Sequence, residues 1–392
     1  MKFLFVQDTD WISRNINGHH HLYERMILKG HEIRVIDYDI LWREEKNKEI
    51  ISKKRIYKIS RLFKNAKYLV IRPKILKIPL LDYLSMFITY RKEIKNQIIE
   101  FRPDFIIANG IITTFLAFNL AKKHNIKKVY YSVDVNYRLI PSNFLQPIGK
   151  QFEKYNLKKA DLVLSINKIL LIYTIYMGAD PNKVKLLKFG INFDFFDYTI
   201  DKNEVRNKFA IQSDDILLLF IGWLYNFSGL KEVILSIKNL KQDNIKLLII
   251  GDGEFYKDLQ KIVLKNKMQK KIIMTGFLPY NMIPKFTAAA DICILPAYNN
   301  EVMRYVVPIK ILEYMAMEKP VISTELPGII KEFGYGNGII YINKPEDVIN
   351  KAIDMRDNNQ IIQEGLKARK FVENRTWEKS VNQLEIILEN LK

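Results

Sequence analysis

Short apolar runs alternate with longer amphipathic stretches along this chain of 392 residues. Short apolar runs bounded by turn residues are typical of buried strands, and stretches with a period near 3.6 are typical of helices. The strand-like runs are KFLFV (2–6), HEIRVIDYD (31–39), PDFIIANG (103–110), KKVYYSVD (127–134), ADLVLSI (160–166), KVKLLKFGI (183–191), DILLLFIGWLY (215–225), KLLIIGDGE (246–254), KIIMTGF (271–277), ICILPA (292–297), KPVIST (319–324) and GIIYIN (338–343). The alternation predicts an α/β fold built on parallel sheets.

The alternation is interrupted once, by the connector FDFFDYTIDKNEVRNKF (193–209), and then restarts. A chain of this length is more typical of two domains than of one. We therefore predict two doubly wound, Rossmann-like domains, residues 1–195 and residues 196–374. Ligands of such sheets bind beyond the carboxyl ends of the strands, and we expect those ends of both domains to face one cleft.

The chain is strongly basic, with a formal net charge of +19. Residues 43–77 concentrate this charge and interleave it with isoleucine and leucine. This composition favours contact with an anionic membrane surface, the alternative being an ordinary lysine-rich face in solvent. No nucleic-acid recognition motif accompanies the basic residues, so no nucleic-acid partner is expected.

The cellular setting is predicted from three further features. No stretch of about 20 residues stays apolar, so no transmembrane helix is expected. The opening run MKFLFVQDTD turns polar early and predicts a strand rather than a signal peptide. The single cysteine, Cys293, excludes an intramolecular disulfide, and its apolar neighbours predict a buried thiol. We expect a cytoplasmic protein with peripheral contact at the inner face of the cell membrane.

Two strand-like runs of the second half end in glycine turns before a helix. Gly251 lies in IIGDGEF (249–255), where glycine lets the backbone approach a ligand and the helix N-terminus favours phosphate. Gly222 ends the preceding strand; Ser228 then precedes the next helix, and Lys231 lies in its first turn. A ligand contact and an N-cap are equally good interpretations of Ser228.

A third turn, TGFLPY (275–280), follows the run KIIMTGF. The backbone from Gly276 to Leu278 can bond to the edge of a base, and Phe277 can lie beside it. The alternative is a turn that is simply packed.

The stretch RYVVPIKILEYMAMEKPVIST (304–324) predicts a short helix between two strands. Pro308 suits the first helical position. Lys310 lies in the first turn, where a cation opposes the helix dipole, and Glu313 shares its face. A surface ion pair is the alternative, but this helix starts where ligands bind. We expect Lys310 to contact an anion and Glu313 to accept hydrogen bonds from hydroxyls of the same ligand.

The block ADICILPAYNNEVMRYVVPIKILEYMAMEKPVISTELPG (290–328) resembles the donor-binding core of the retaining nucleotide-sugar glycosyltransferases of GT-B fold. It is most similar to the branch of these group 1, family 4-like enzymes that reads Pro-x-Lys-x-x-Glu-Tyr-Met-Ala. The likeness continues in FIGWLY, SGLKEVI, LLIIGDGEF, IIMTGFLP and ARKFVENRTWEKSVNQLEIIL, and it is thinner in the first half. It implies an N-terminal acceptor domain, a C-terminal donor domain, and a last helix (375–392) that packs back on the N-terminal domain.

The resemblance implies a metal-independent hexosyltransferase that needs no cofactor. It would move a sugar from a UDP- or GDP-sugar to a saccharide or lipid-linked acceptor, in the assembly of surface glycans, polysaccharides or glycoprotein glycans. The leaving diphosphate gains charge in the transition state and needs fixed positive groups. By resemblance, Glu313 holds the nucleotide ribose, the amides of Ile309 and Lys310 face the diphosphate, and Gly276 to Leu278 hold the base.

The chain departs from the family pattern before the predicted helix that carries Lys310. Tyr305 stands where many relatives have a glutamate that contacts the donor sugar, and Glu301 is the candidate replacement. The usual diphosphate cations are replaced by Trp223 and Ser228. The charge would then come from three nearby basic residues, Lys231, Arg304 and Lys310.

A further departure lies in the first half, where the YYSVD region replaces an active-site histidine of the family. Asp134 is then the expected polar group, unless it caps the following turn. With Glu301 and Lys310, it completes our candidate catalytic set. Two alternative functions remain open: a catalytically inactive GT-B binding or regulatory module, and a GT-B sugar-nucleotide epimerase.

The run His19, His20 and His21 invites a metal-site interpretation. Consecutive helical side chains diverge by about 100° each, so they cannot converge on one ion. We expect surface histidines and no metal site, the alternative being that one of the three faces the cleft near Gly18.

Overall fold

The computed structural model describes residues 1–13, 16–39, 42, 49–140, 142–240 and 244–391. The chain divides into two compact units, Met1–Phe189 with Trp377–Lys392, and Gly190–Thr376. The sequence placed the border after residue 195, whereas the structure changes unit after Phe189. The roles assigned to the two units remain predictions.

The first unit is built on an eight-stranded sheet. Its strands are β1 (Lys2–Gln7), β2 (Glu32–Ile36), β3 (Arg55–Ile59), β4 (Tyr68–Arg72), β5 (Phe105–Asn109), β6 (Lys127–Ser132), β7 (Leu162–Ser165) and β8 (Val184–Leu186), in the order β3-β4-β2-β1-β5-β6-β7-β8. Its helices are α1 (Gly18–Leu28), α2 (Leu81–Phe101), α3 (Ile112–Lys123), α4 (Gln146–Lys159), α5 (Lys168–Tyr176) and α14 (Trp377–Glu389). Every strand pair is parallel except β3 with β4.

The central strands read as continuous apolar runs because helices cover both faces of a parallel sheet. In β1, Phe3 pairs with Ile33 of β2 on one side and with Phe105 of β5 on the other. All three side chains are buried. The predicted parallel α/β class is confirmed for this unit.

The basic segment 43–77 contains two strands, β3 and β4, that the sequence analysis missed. Residues 43–48 lie outside the described part of the chain. Strand β3 is an edge strand whose exposed Arg55 and Lys58 alternate with isoleucine, so its pattern resembles a basic amphipathic segment. Two cations of the segment are not available to a membrane. Arg72 is buried and pairs with Asp10, Asp37 and Asp39, and Lys77 is buried as well.

The expectation of surface histidines is wrong, because all three side chains are buried in α1. His19 packs on Phe5 and Tyr131, while His20 bonds to the carbonyl of Trp11 at 3.0 Å. His21 stacks on Trp377 of α14, with ring centroids 4.9 Å apart. The three rings have different surroundings, and burial lowers the pKa of His19 and His20 to about 3. They serve the core of the first unit.

The last helix, α14, belongs to the first unit, as predicted. Arg25 of α1 pairs with Glu378 at 2.9 Å, and His31 contacts Glu385 at 2.7 Å. The side chains of Trp377, Val381, Leu384 and Leu388 are buried. None of the helices in the described ranges combines the length and apolar content needed to cross a bilayer.

The second unit has a six-stranded, all-parallel sheet. Its strands are β9 (Ile216–Ile221), β10 (Ile245–Ile250), β11 (Ile272–Gly276), β12 (Ile292–Leu295), β13 (Val321–Thr324) and β14 (Ile339–Ile342), in the order β11-β10-β9-β12-β13-β14. Its helices are α6 (Asn203–Lys208), α7 (Leu230–Lys238), α8 (Tyr256–Lys265), α9 (Ile283–Ala289), α10 (Ile309–Ala316), α11 (Pro327–Phe333), α12 (Val348–Asp357) and α13 (Gln360–Val372). All six strand-like runs of the second half form strands. Cys293 is buried in β12, as predicted.

Candidate active site

The strand order of the second unit reverses between β9 and β12. The chain builds β9, β10 and β11 on one side and then returns to build β12, β13 and β14 on the other. Loops that leave β9 and β12 diverge at this point, which opens a crevice beyond their carboxyl ends. The loop after β9 leads to α7 and the loop after β12 leads to α10. The candidate site is therefore the crevice between these two loops.

Three glycine turns form one side of this edge. Gly222 follows β9, Gly251 follows β10, and Gly276 ends β11. Gly222 donates to Ile250 O and Gly251 donates to Gly276 O, both at 2.9 Å. A Cβ on Gly251 would lie 1.9 Å from Gly222 O, and its φ is +138°. Glycine is thus required at 251 for backbone packing, whatever its contact with a ligand.

Lys310 lies at the start of α10 and reaches the carboxyl end of β9. Its Nζ donates to Ile221 O at 2.7 Å and lies 3.9 Å from the centre of the Phe220 ring. A Cβ on Gly222 would lie 3.0 Å from the same Nζ. The side chain is partly exposed, and desolvation lowers its pKa to about 7. A lysine with a perturbed pKa at a strand end is typical of functional sites, and the contact of Lys310 with an anion remains a prediction.

The N-terminus of α10 differs from the prediction in one detail. Pro308 is the N-cap residue, with φ −66° and ψ 134°, and is not the first helical residue. It provides no side-chain cap, so the first amides of the helix, at Ile309 and Lys310, remain donors for a ligand. The helix dipole adds partial positive charge at the same place.

Glu313 lies one turn further along α10, and its side chain is buried. Its Oε1 accepts a hydrogen bond from the Tyr280 hydroxyl at 2.8 Å. Burial raises the pKa of Glu313 to about 7, although the charge of Lys310 and the bond from Tyr280 both oppose this shift. Tyr280 stacks on Phe195, with ring centroids 5.0 Å apart. Neither aromatic residue is predicted as a site residue from the sequence, because Tyr280 lies in a turn and Phe195 in the connector, and only the fold stacks their rings.

The turn after β11 leaves the predicted base-binding residues at least partly exposed. Phe277 is exposed over 54% of its surface, directly after Gly276. Leu278 is partly exposed, and Tyr280 follows two residues later. The contact of Gly276, Phe277 and Leu278 with a base remains a prediction.

Ser228 is not an N-cap. Gly229, with φ +73°, is the N-cap residue of α7, and no side chain caps the helix. The Oγ atom of Ser228 is buried and has no hydrogen-bond partner among the described residues. Lys231 follows in the first turn of α7 and is exposed. Ser228 and Lys231 therefore remain candidates for donor binding.

The residues before α10 lie nearer the surface. Arg304 and Glu301 form an exposed ion pair of 3.2 Å, so each neutralises the other. Tyr305 is partly exposed in the same short turn, Met303–Tyr305. Asp134 belongs to the first unit, two residues beyond β6. The catalytic roles of Glu301 and Asp134 remain predictions.

The second unit matches a known family of proteins. Residues 201–376 match the profile of the family described as glycosyl transferases group 1. An uncharacterized glycosyltransferase of Methanocaldococcus jannaschii, MJ1069, is 25% identical over 249 residues, 62% of this chain and 62% of its own length. The putative teichuronic acid biosynthesis glycosyltransferase TuaC of Bacillus subtilis is 28% identical over 160 residues, 41% of this chain and 38% of its own length. The matches thus span less than two thirds of either relative.

Solved structures extend the comparison to the whole fold. Sucrose-phosphate synthase from Thermosynechococcus elongatus has a TM-score of 0.78 at 15% identity, covering 100% of this chain and 98% of that one. Anabaena HepE in complex with UDP has a TM-score of 0.75 at 15% identity, covering 100% of both chains. At this identity the likeness shows the fold. The family match covers residues 201–376, and the chain has the GT-B fold of two Rossmann-like domains.

Proposed function

We propose that this chain is a retaining hexosyltransferase, with a UDP- or GDP-sugar as donor and a saccharide or lipid-linked acceptor. The main observation behind this proposal is that Lys310 and Glu313 lie on α10 at the crevice between β9 and β12. The pair offers a cation and a carboxylate to one ligand, which fits a diphosphate attached to a ribose. The UDP named with the HepE structure, which shares this fold, supports a nucleotide donor.

The proposed chemistry places positive groups where charge develops. As the bond between the sugar and the diphosphate breaks, the Lys310 ammonium and the first amides of α10 stabilise the leaving group. Such fixed donors favour the transition state because they need not reorganise during the reaction. Glu313 orients the nucleotide by accepting hydrogen bonds from its ribose. Glu301 and Asp134 are proposed to contact the donor sugar and the acceptor, and no metal or cofactor is proposed.

The setting of the reaction is part of the proposal. TuaC is named for teichuronic acid biosynthesis, which supports a role in surface glycan assembly. We propose a cytoplasmic enzyme that contacts an anionic membrane, because the chain is strongly basic and its only cysteine is buried and unpaired. A lipid-linked acceptor would require this contact.

A thermal-shift screen against UDP- and GDP-sugars tests the donor. One donor should raise the melting temperature, since a ligand that binds the native state stabilises it by mass action. Lys310→Met should abolish the shift. Lys319→Met is the matched control, because Lys319 Nζ also donates to a backbone carbonyl, Ala288 O at 2.9 Å, and desolvation also lowers its pKa. A full panel without any shift contradicts the proposal.

Product analysis after incubation of the chain with the donor found in the screen separates the alternative functions. A donor that binds but is neither transferred nor hydrolysed favours the inactive binding module. Conversion of one sugar nucleotide into its epimer favours the epimerase.

A further inference from the structure

One face of α2 and the residues before it expose an unusual number of aliphatic side chains. We call this set the apolar tip; it consists of Ile50, Ile51, Ile78, Leu80, Leu81, Leu84 and Ile88. Leu84 is 61% exposed and Ile88 is 75% exposed. Leu81, Leu84 and Ile88 follow the helical spacing of three and four residues, so they form one stripe on the outer face of α2. The opposite face, with Met86, Tyr90 and Ile94, is buried.

Backbone pairing holds the parts of the apolar tip together. Ile51 forms an antiparallel bridge with Leu76, and Lys77 N donates to Ile50 O at 2.7 Å. Leu76 N donates to Ser85 Oγ at 3.1 Å, which fastens this two-stranded ribbon to the first turn of α2. The apolar tip is therefore one surface, although its residues come from two segments of the chain.

The chain turns into α2 through Leu80, the N-cap residue, at φ +69°. A leucine with positive φ is an outlier, because its Cβ crowds the backbone. Its side chain is still 57% exposed, so it gains little burial within its own chain. An arrangement of this kind is expected at a functional surface, where the lost stability is recovered on binding.

Among the described residues, most of the exposed charged side chains next to the apolar tip are basic. The stripe of Leu84 and Ile88 continues along α2 into Arg91 and Lys95, with Lys92 beside them, and all three are exposed. Lys53 and Lys74 are exposed beside the ribbon. Two acids of α2 are buried: Asp82 accepts from the Tyr38 hydroxyl at 2.6 Å, and Glu93 pairs with Lys54 at 2.7 Å. Glu49, next to Ile50, and Glu100, near the far end of α2, are exposed.

We propose that the apolar tip inserts into the interface of an anionic lipid bilayer, with Arg91, Lys92 and Lys95 against the lipid headgroups. Aliphatic side chains bordered by lysine and arginine match the boundary between acyl chains and anionic headgroups. A symmetric contact with a second copy fits less well, because a twofold axis would bring the same cations together. The proposal assigns the membrane contact mainly to α2, whereas the sequence analysis assigned it to residues 43–77.

This inference deepens the proposed membrane contact and rests on the proposed function only for the lipid-linked acceptor. Sedimentation of the full chain with vesicles tests it without any donor. Vesicles of phosphatidylcholine with phosphatidylglycerol should bind the chain, and vesicles of phosphatidylcholine alone should bind it weakly. Binding should fall with added salt, because salt screens the headgroup charges.

Two pairs of substitutions test the two parts of the surface. Leu84→Ser with Ile88→Ser should lower the partition into anionic vesicles about tenfold, since two inserted side chains are lost. The matched control is Ile362→Ser with Leu366→Ser on α13, where the side chains are 78% and 54% exposed. Lys92→Glu with Lys95→Glu should lower the partition into anionic vesicles at least about tenfold. Its control is Lys257→Glu with Lys265→Glu on α8, which makes the same change of charge.

Each result decides the proposal. Control variants that bind like the unchanged chain, with α2 variants that do not, support it. An equal loss of vesicle binding in a control pair indicates non-specific electrostatic or hydrophobic association and overturns the proposal. Unchanged vesicle binding of the α2 variants overturns it as well. If light scattering shows a dimer of the unchanged chain, and Leu84→Ser with Ile88→Ser dissociates that dimer, the proposal is also overturned. The apolar tip would then bind a second copy of the chain. Vesicle binding without any donor-induced shift would leave this inference standing and contradict the transferase.

Discussion

The backbone of Ile221, the last residue of β9, is bonded at both polar groups by side chains of α10. Its carbonyl accepts from Lys310 Nζ at 2.7 Å, and its N–H donates to the Tyr314 hydroxyl at 2.9 Å. Lys310 thus has a structural bond within the unit and still lies at the crevice. An ammonium has three donors, so this bond leaves others for a ligand.

Donor binding should be linked to proton uptake by Lys310. Its pKa is lowered to about 7, so at about pH 8 the amine is mostly neutral in the free protein, and a diphosphate beside it would raise that pKa. Titration calorimetry in two buffers of different ionisation enthalpy should show uptake of up to about one proton. Equal heats in the two buffers would indicate that Lys310 does not contact the diphosphate.

The joint contribution of Lys310 and Glu313 to the stability of the free protein should pass through a minimum near neutral pH. Desolvation lowers the pKa of Lys310 from 10.5 to about 7, so between these values the unfolded state binds more protons and stability rises with pH. Burial raises the pKa of Glu313 from 4.5 to about 7, so between these values the folded state binds more protons and stability falls as pH rises.

The measurement for this prediction is the free energy of unfolding across pH, for the unchanged chain minus Lys310→Met with Glu313→Gln. The difference should be most unfavourable to the unchanged chain near pH 7. A difference that does not vary with pH would show that neither group is perturbed in the folded state.

Tyr280→Phe should weaken donor binding by about tenfold or more, because hydrogen bonds to charged groups are worth roughly 1.5–3 kcal/mol. The substitution removes the hydroxyl that bonds Glu313 Oε1 and keeps the ring that stacks on Phe195. Tyr256→Phe is the control, since its hydroxyl bonds only the exposed Gln260 among the described partners. The donor affinities of the Tyr280→Phe and Tyr256→Phe variants are compared by thermal shift or calorimetry. An equal effect of both changes would mean that the bond to Glu313 is not used.

Gly251→Ala should destabilise the second unit by more than about 3 kcal/mol, because a Cβ there combines positive φ with a severe backbone clash. The clash is with Gly222 O, at 1.9 Å. Gly336→Ala separates the cost of positive φ from the cost of the clash, because the φ of Gly336 is +75° and nothing lies within 4 Å of the added Cβ. Gly336→Ala should lower the free energy of unfolding by about 1 kcal/mol, from the backbone conformation alone. Urea unfolding measures both, and similar costs would show that the turns can move apart.

Much of the fold was predictable because a buried parallel strand has a local signature. All six strands of the second unit coincide with runs identified by their apolar pattern, β10 starting one residue earlier, and the helix that carries Lys310 was predicted at its position. Strands β3 and β4 were missed because β3 lies at a sheet edge, where Arg55 and Lys58 stay in solvent. A half-exposed edge strand and a basic surface segment have the same pattern of residues.

The burial of the histidines could not be predicted for a different reason. His21 is buried by Trp377, which lies in α14 at the other end of the chain. The same holds for Arg72, whose charge is met by Asp10, Asp37 and Asp39 from neighbouring strand ends. Only long-range packing distinguishes these buried polar residues from solvated ones.

The sequence by itself determined the α/β class and the short helix that carries Lys310 and Glu313, because periodicity and helix-end chemistry are local. Only the tertiary structure decided that Lys310 is held by Ile221, that Tyr280 bonds Glu313, and that an apolar stripe of α2 stays exposed. The physical reason is that desolvation and hydrogen bonding depend on groups brought together from distant parts of the chain. Those groups set the pKa values on which the candidate site depends.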